Sequence, residues 1–155
     1  MFSAYSVANA FIQRAIDGQL HGLNSMKLQK LMYFAQAWHL KGLGRPLFQD
    51  TFIREKHGPV LPSIEYQLNA YGSQRVGQLI RTLTQHDDPL VWNEPYLPET
   101  AVKARELVDA IVSAYGDKSG LALSDLTHLP NSAWSQGPAD GGPMLNEDIR
   151  NDPTL

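Results

Sequence analysis

The stretch that decides the fold runs from Lys27 to Trp38 and reads KLQKLMYFAQAW. When residues are placed at 100° intervals, apolar side chains cover most of the circumference of a helix. One face of that helix carries Leu28, Leu31, Met32, Ala35 and Trp38, and Tyr33, Phe34, Ala37 and Leu40 lie beside or opposite it. Ser25 suits an N-cap and residues 42–46 stop a helix. The sequence therefore predicts a central helix over residues 25–41, packed by neighbours on two sides.

Weaker patterns flank this helix along the chain. Apolar spacing predicts helices over residues 6–16, 62–71, 76–83, 99–115 and 121–128. Two segments read as extended, 51–54 and 90–92, and Asp87-Asp88-Pro89 reads as a turn. The expected fold class is mainly α: a compact single-domain bundle of about five to six helices around the central one, with room for a small β element near residues 47–57.

Length and composition suit one globular domain. The chain has 155 residues, 43% of them hydrophobic, and no cysteine, which excludes disulfides and thiolate metal sites. It has neither an apolar run of about 18 residues nor a secretory signal, so we expect a cytoplasmic protein without a membrane partner. Residues 1–136 are expected to form the helical domain. Residues 137–155 are rich in Gly and Pro and are expected to form a loose tail.

The charge of −3 is unevenly distributed along the chain. Residues 1–60 contain seven Lys/Arg and three Asp/Glu, whereas residues 61–155 contain six and thirteen. This could give the fold a basic and an acidic face, or simply two solvated surfaces. Lys27, Lys30 and Lys41 fall within about 60° of one another on the central helix, so they could form a basic strip or cover apolar surface with their stems. The acidic balance weighs against a nucleic-acid partner.

No recognisable constellation for catalysis, metal or cofactor binding occurs. Two groups of possible metal ligands occur, the pair Asp125 and His128 and the cluster His86-Asp87-Asp88. Each falls short of the three or four matched ligands of a zinc site. Neither a nucleophile elbow nor a phosphate-binding Gly-rich loop is present. His39 is expected to be a buried histidine with one hydrogen-bond partner. We therefore expect no enzyme, no metal and no cofactor, although a small catalytic site that combines Tyr33, Asp125 and His128 stays open.

An ordered series of motifs runs through the chain. It consists of Lys27-Leu28-Gln29-Lys30-Leu31-Met32-Tyr33-Phe34-Ala35, Trp38-His39, Gly44-Arg45-Pro46-Leu47-Phe48, His57-Gly58-Pro59-Val60, Tyr71-Gly72, and Leu123-Ser124-Asp125-Leu126-Thr127-His128 followed by Trp134. In this order the motifs resemble the Panacea, or SocA-like, antitoxin domain of bacterial and phage toxin–antitoxin systems. The similarity covers about residues 5–136.

The resemblance implies a mostly helical domain that is not an enzyme and neutralises a cognate toxin by direct protein–protein binding. Two positions depart from the family pattern: Glu55 stands where the family has Trp, and Ala133 stands where it has Pro. The expected toxin contacts lie at and near the first departure and at one tyrosine, a residue type that is favoured at interface hot spots and is equally consistent with a place in the core. They are Glu55, Lys56, His57, Gly58, Pro59 and Tyr66.

The remaining motif residues are expected to be scaffold. They are Lys27, Leu28, Gln29, Lys30, Leu31, Tyr33, Phe34, Trp38, Thr127, His128 and Trp134. A second function stays open beside neutralisation, because a flexible tail from residue 137 would suit a protease adaptor. In that case the domain would present a bound toxin, or another protein, to a protease as a second partner.

Overall fold

Six α-helices and two short hairpins make up the part of the chain that the computed structural model describes, residues 1–84 and 90–155. The helices are α1 Ala4–Ile16, α2 Ser25–Leu43, α3 Pro62–Leu68, α4 Val102–Tyr115, α5 Gly120–Thr127 and α6 Asn146–Arg150. The strands are β1 Ile53–Glu55, β2 Gly58–Val60, β3 Thr82–Thr84 and β4 Val91–Asn93. The expected mainly α class is confirmed. None of the helices in the described residues has the length and apolar character of a membrane span.

α2 is the central helix, as the sequence predicts. It packs against α1, α3, α4, α5, α6 and β2, and every residue from Lys27 to Ala37 is buried. The N-cap is Asn24 and not Ser25, because the Asn24 side chain accepts a hydrogen bond from the Lys27 amide at 2.9 Å. The helix ends at Leu43 and is capped by Gly44, whose φ of 70° is the left-handed conformation that glycine adopts without strain. Neighbours therefore surround α2 on more sides than the two that its apolar pattern predicts.

The C-terminal end of α2 is more exposed than expected. Trp38, predicted to pack in the core, is 39% exposed and donates its indole N–H to the Tyr115 hydroxyl at 2.8 Å. Tyr115 in turn stacks on Phe34, with ring centroids 4.3 Å apart. His39 is half-buried and has its Nδ1 2.7 Å from the Arg45 carbonyl. The main apolar face of α2 thus leaves the core at Trp38, whereas Leu40 stays buried.

The segment predicted to be a loose tail is packed on the domain. Its residues 141–144 run antiparallel along β1 and extend the β1–β2 hairpin at its outer edge. The backbone bonds are Arg54 N–H to Gly142 O, Gly141 N–H to Arg54 O and Met144 N–H to Phe52 O, each 2.8 Å. Met144 and Ile149 are almost fully buried in the core. The Gly and Pro residues of this segment form turns between anchored points, which composition alone does not distinguish from disorder.

The predicted short helix over residues 76–83 is wrong. Val76 and Ile80 are buried as a helical stripe would require, but their backbones bond elsewhere. The Val76 amide donates to the Leu23 carbonyl at 2.8 Å, and Ile80 pairs with the Asn9 side chain. Residues 82–84 instead form β3, which pairs with β4, and β4 agrees with the extended segment expected at 90–92. The predicted turn at residues 87–89 and the cluster at 86–88 lie outside the described residues.

Candidate functional site

A cleft of about 330 Å³ lies beside the turn that joins β1 to β2. The turn contributes Glu55, Lys56 and His57 to its lining, α2 contributes Lys30, and α3 contributes Glu65. Lys56 and His57 are exposed, whereas Lys30 lies at the buried end with 1% of its surface exposed. The cleft therefore extends from an exposed turn to a buried side chain of the central helix.

Side chains from the C-terminal part of the domain bind the carbonyl groups of this turn. The contacts are Trp134 Nε1–H to Glu55 O at 3.0 Å, Ser124 Oγ–H to His57 O at 2.5 Å, and His128 Nε2 to Lys56 O at 3.0 Å. The rings of His128 and Trp134 also pack together, with centroids 3.9 Å apart. Three successive carbonyls are thus fixed by side chains, so the path of the turn does not depend on its own side chains.

Lys30 binds the next part of the turn from inside the fold. Its ammonium donates to the Pro59 carbonyl at 3.0 Å. Burial lowers the pKa of Lys30 to about 8, and the Glu65 carboxylate opposes the shift. Taking an ammonium out of water is costly, so the protonated side chain is retained at neutral pH against a substantial desolvation penalty.

Gly58 is required where α2 and α5 meet the turn. Its φ is 113°, in the region that favours glycine, and an added Cβ would lie 2.6 Å from Thr127 Oγ1 and 3.0 Å from Lys30 Cε. The Thr127 hydroxyl is itself engaged, because it donates to the Ser124 carbonyl at 2.6 Å. Three separate motifs, those of Lys30, Gly58 and Thr127, therefore meet at one point of close contact.

The lysines of α2 do not form a basic strip. Each of them donates to backbone carbonyls outside α2: Lys27 to His21 at 2.8 Å and Gly116 at 2.6 Å, Lys30 to Pro59 at 3.0 Å, and Lys41 to Arg150 at 2.9 Å and Asp152 at 2.7 Å. Burial also lowers the pKa of Lys27, while the nearby Asp117 opposes the shift. These cations bind carbonyl groups of other segments to α2.

Two glutamines one heptad apart pair with backbone in the same way. Gln29 accepts from the Leu61 amide at 2.8 Å and donates to the Leu61 carbonyl at 3.0 Å. Gln36 accepts from the Leu47 amide at 2.7 Å and donates to the Phe48 carbonyl at 2.9 Å. Both amides are buried and satisfied, and they fix the two ends of the connection between α2 and α3.

Comparison with known proteins places the motifs in a family. The family model described as antitoxin SocA-like, Panacea domain, matches residues 28–135, more than half of the chain. The chain belongs to this family. No curated protein and no solved structure was found to match. The Panacea match includes the three side chains that bind the turn carbonyls and also Lys30, whereas residues 137–155 lie beyond it.

The positions expected to contact a toxin fall into three groups. Glu55, Lys56 and His57 present their side chains at the cleft, while the next two residues of the turn are buried beneath it. Tyr66 lies on α3, is 79% exposed and does not line the cleft. The sequence did not identify Ser124 as part of this arrangement, although its place in the last Panacea motif was a usable signal.

The second departure from the Panacea pattern has a structural counterpart in the C-terminal segment. Ala133 has an N–H group that proline would lack, and it donates to the buried Asp152 carboxylate at 2.9 Å. Arg54 donates to the Ala133 carbonyl at 3.2 Å and to the Pro143 carbonyl at 2.9 Å. Burial raises the pKa of Tyr33 and the Asp152 charge adds to that shift, while Arg54 opposes it.

The catalytic alternative does not gain support from the geometry. Tyr33 is buried against Phe52 with ring centroids 5.3 Å apart, whereas Asp125 is exposed on α5. His128 is occupied by backbone carbonyls and the Trp134 ring. In residues 1–84 and 90–155, no group of three His, Asp or Glu side chains is placed to hold a metal ion.

Proposed function

We propose that this chain is a cytoplasmic antitoxin that neutralises a cognate toxin by binding it directly, without catalysing a reaction. The observation that carries the proposal is the match of the Panacea family over residues 28–135. A toxin is the partner that membership of an antitoxin family implies in general. Bacterial and phage toxin–antitoxin systems are the setting that the family resemblance indicates.

The geometry of the β1–β2 turn supports direct binding. Glu55, Lys56 and His57 present three different side chains on a backbone whose carbonyls are bonded to fixed groups of the domain. A surface that is ordered before binding loses less conformational entropy when the complex forms. We propose that the toxin contacts these three side chains and the exposed Tyr66 on α3.

The protease-adaptor alternative has lost the observation that motivated it. The adaptor hypothesis requires a flexible tail, but residues 141–144 pair with β1 and Ile149 is buried. No other feature of the described residues favours a protease partner. Neutralisation by binding is therefore the function that the structure supports best.

Co-expression with the product of the neighbouring reading frame tests the proposal. Induction of that product alone is expected to stop growth, and co-expression of this chain is expected to restore growth and to give a complex that co-purifies. A triple variant, Glu55→Ala with Lys56→Ala and His57→Ala, should weaken the complex. A control pair, Lys118→Ala with Asp125→Ala, removes exposed charges elsewhere and should not. Failure of the unaltered chain both to restore growth and to co-purify would refute neutralisation by binding.

A further inference from the structure

The β3–β4 hairpin and the residues that follow it form an exposed arm, defined here as residues 81–84 and 90–96. Its base is fixed by the buried Asn9 of α1, which makes three hydrogen bonds. Asn9 Nδ2 donates to Ile80 O at 3.0 Å and Pro95 O at 2.7 Å, and Oδ1 accepts from the Ile80 amide at 2.7 Å. One side chain thus joins both ends of the arm to the domain.

Beyond this base the arm exposes large apolar side chains. Leu83 and Trp92 are paired across the two strands and are 46% and 57% exposed. Leu90 and Tyr96 are also exposed, at 57% and 73%. A two-stranded hairpin is marginally stable in water without a covering layer. An apolar aromatic hairpin is therefore expected to gain stability from a partner.

The exposed area of the arm is that of a docking patch. Because an aromatic side chain has about 150–250 Å² of surface, Trp92 and Tyr96 alone expose on the order of 250 Å². With the aliphatic residues the patch reaches roughly 500 Å², in the range of functional patches on monomers. One side of a stable interface buries about 800 Å². Two arms facing each other would therefore fall short of a stable dimer, whereas a larger partner can also contact the surface next to the arm.

That adjacent surface is a groove of about 310 Å³ between the arm, α1 and α4. Arg14, Arg105 and Glu94 line it, and Arg81 lies over the Trp92 ring at 5.8 Å. Within the described residues Arg14 is paired with an aspartate, while Arg81 and Arg105 make no ion pair. Two arginines without an ion pair, Arg81 and Arg105, and one carboxylate, Glu94, thus lie in the described surroundings of the patch. A partner with acidic side chains at its rim would complement the two arginines.

We propose that the arm is a second docking element for the toxin, which would receive Trp92 in an apolar recess edged by carboxylates. The proposal rests on the antitoxin function and extends it, because this surface is separate in sequence from the β1–β2 turn. Trp and Arg are also the residue types most often found to dominate binding energy at interfaces.

Binding of purified variants to the neighbouring-frame product tests the arm, with affinity measured by calorimetry at two salt concentrations. Trp92→Ala is expected to weaken binding roughly 30-fold, the loss typical of a hot-spot residue. Arg81→Glu is expected to weaken it roughly 10-fold at low salt and less at high salt, because salt screens the lost attraction. Leu121→Ala and Lys118→Glu are matched controls, since Leu121 is 66% exposed on α5 and Lys118 is exposed as well.

The outcomes separate the arm from the antitoxin function itself. If the unaltered chain binds and Trp92→Ala binds equally well while keeping its melting temperature, the arm proposal is wrong and neutralisation stands. If the unaltered chain does not bind the neighbouring-frame product, the proposed antitoxin function is wrong, and the arm proposal that rests on it is wrong as well. Sedimentation of the chain alone tests whether a second copy of the chain binds the arm instead. If the unaltered chain is a dimer, and Trp92→Ala makes it a monomer without changing its affinity for the toxin, the arm is a dimer contact and the proposal is wrong.

Discussion

Lys30→Met is expected to abolish a rise in stability between pH 8 and pH 10.5. The ammonium of Lys30 is buried beneath the β1–β2 turn and donates to the Pro59 carbonyl. Desolvation lowers its pKa from 10.5 to about 8. Methionine has a similar length and no charge, so the substitution removes the titrating group without opening a large cavity.

The size of the effect follows from proton linkage. Between pH 8 and 10.5 the unfolded chain retains the Lys30 proton and the folded chain loses it, so the free energy of unfolding rises by about 1.4 kcal/mol per pH unit. Over pH 7 to 10 the rise is about 2–3 kcal/mol. This stability is present above the unfolded pKa and is lost as the pH falls through the folded pKa of about 8. At pH 7 the variant loses the hydrogen bond to Pro59, which lowers its stability, and also loses the cost of desolvating the ammonium, which raises it. The stability of the variant at this one pH therefore does not test whether the ammonium is desolvated.

Urea denaturation of both proteins at pH 7, 8, 9 and 10 provides the measurement. The quantity compared is the difference in unfolding free energy between the unaltered chain and Lys30→Met, which cancels the titration of other groups such as Tyr33. It is expected to change by about 2–3 kcal/mol in favour of the unaltered chain. Lys103→Met, which removes an exposed lysine of α4, is the control for the loss of a lysine at the surface. A constant difference for Lys30→Met would refute the inference that the Lys30 ammonium is desolvated.

Three further predictions concern the turn and the C-terminal segment. Gly58→Ala should destabilise the fold by about 3 kcal/mol, the sum of positive-φ strain and contact with α5, whereas Gly22→Ala adds its Cβ to open space and should cost only the strain of about 1–2 kcal/mol. Truncation after Gln136 removes two buried apolar side chains and should lower the unfolding free energy by about 3–6 kcal/mol; an unchanged melting curve would contradict the packing. Ala133→Pro should cost about 1–3 kcal/mol through the lost bond to Asp152, and Ala133→Ser, which keeps the N–H, should cost less by the same denaturation assay.

The central helix could be predicted from the sequence because its apolar residues recur at helical spacing. The burial of its lysines could not be predicted, because the apolar pattern alone indicates that Lys27 and Lys30 face solvent. Both side chains are buried because carbonyl groups of distant loops lie within reach of their ammonium groups. Those acceptors become neighbours only when the chain has folded. A helix that is apolar on both sides has few exposed positions. A polar residue in such a helix is therefore expected to be buried and to need a hydrogen-bond partner.

Two elements were mispredicted for reasons that lie outside their own segments. The stripe of Val76 and Ile80 is buried, but Asn9 and Leu23 bind the backbone there and displace the helical hydrogen bonds. Residues 137–155 are packed on the domain because β1 has an open edge and because Arg54 donates to the Pro143 carbonyl. Local composition contains neither fact. In the candidate site, the turn at residues 55–59 and the motif that contains Ser124 and His128 could be located from the sequence, but the bonds from their side chains to the turn carbonyls appear only in the structure.

The two departures from the Panacea pattern have different physical consequences. Glu55 contributes its carbonyl to the Trp134 indole, and any residue offers the same carbonyl, so the side chain at this position can change without altering the turn. Ala133 is different, because its N–H is bonded to Asp152 in a segment beyond the family match. Variation at position 55 can therefore change the partner while the scaffold stays constant. Variation at position 133 is coupled to the C-terminal segment, and the coupling energy between Ala133→Pro and Asp152→Asn in a double-mutant cycle should be non-zero for that reason.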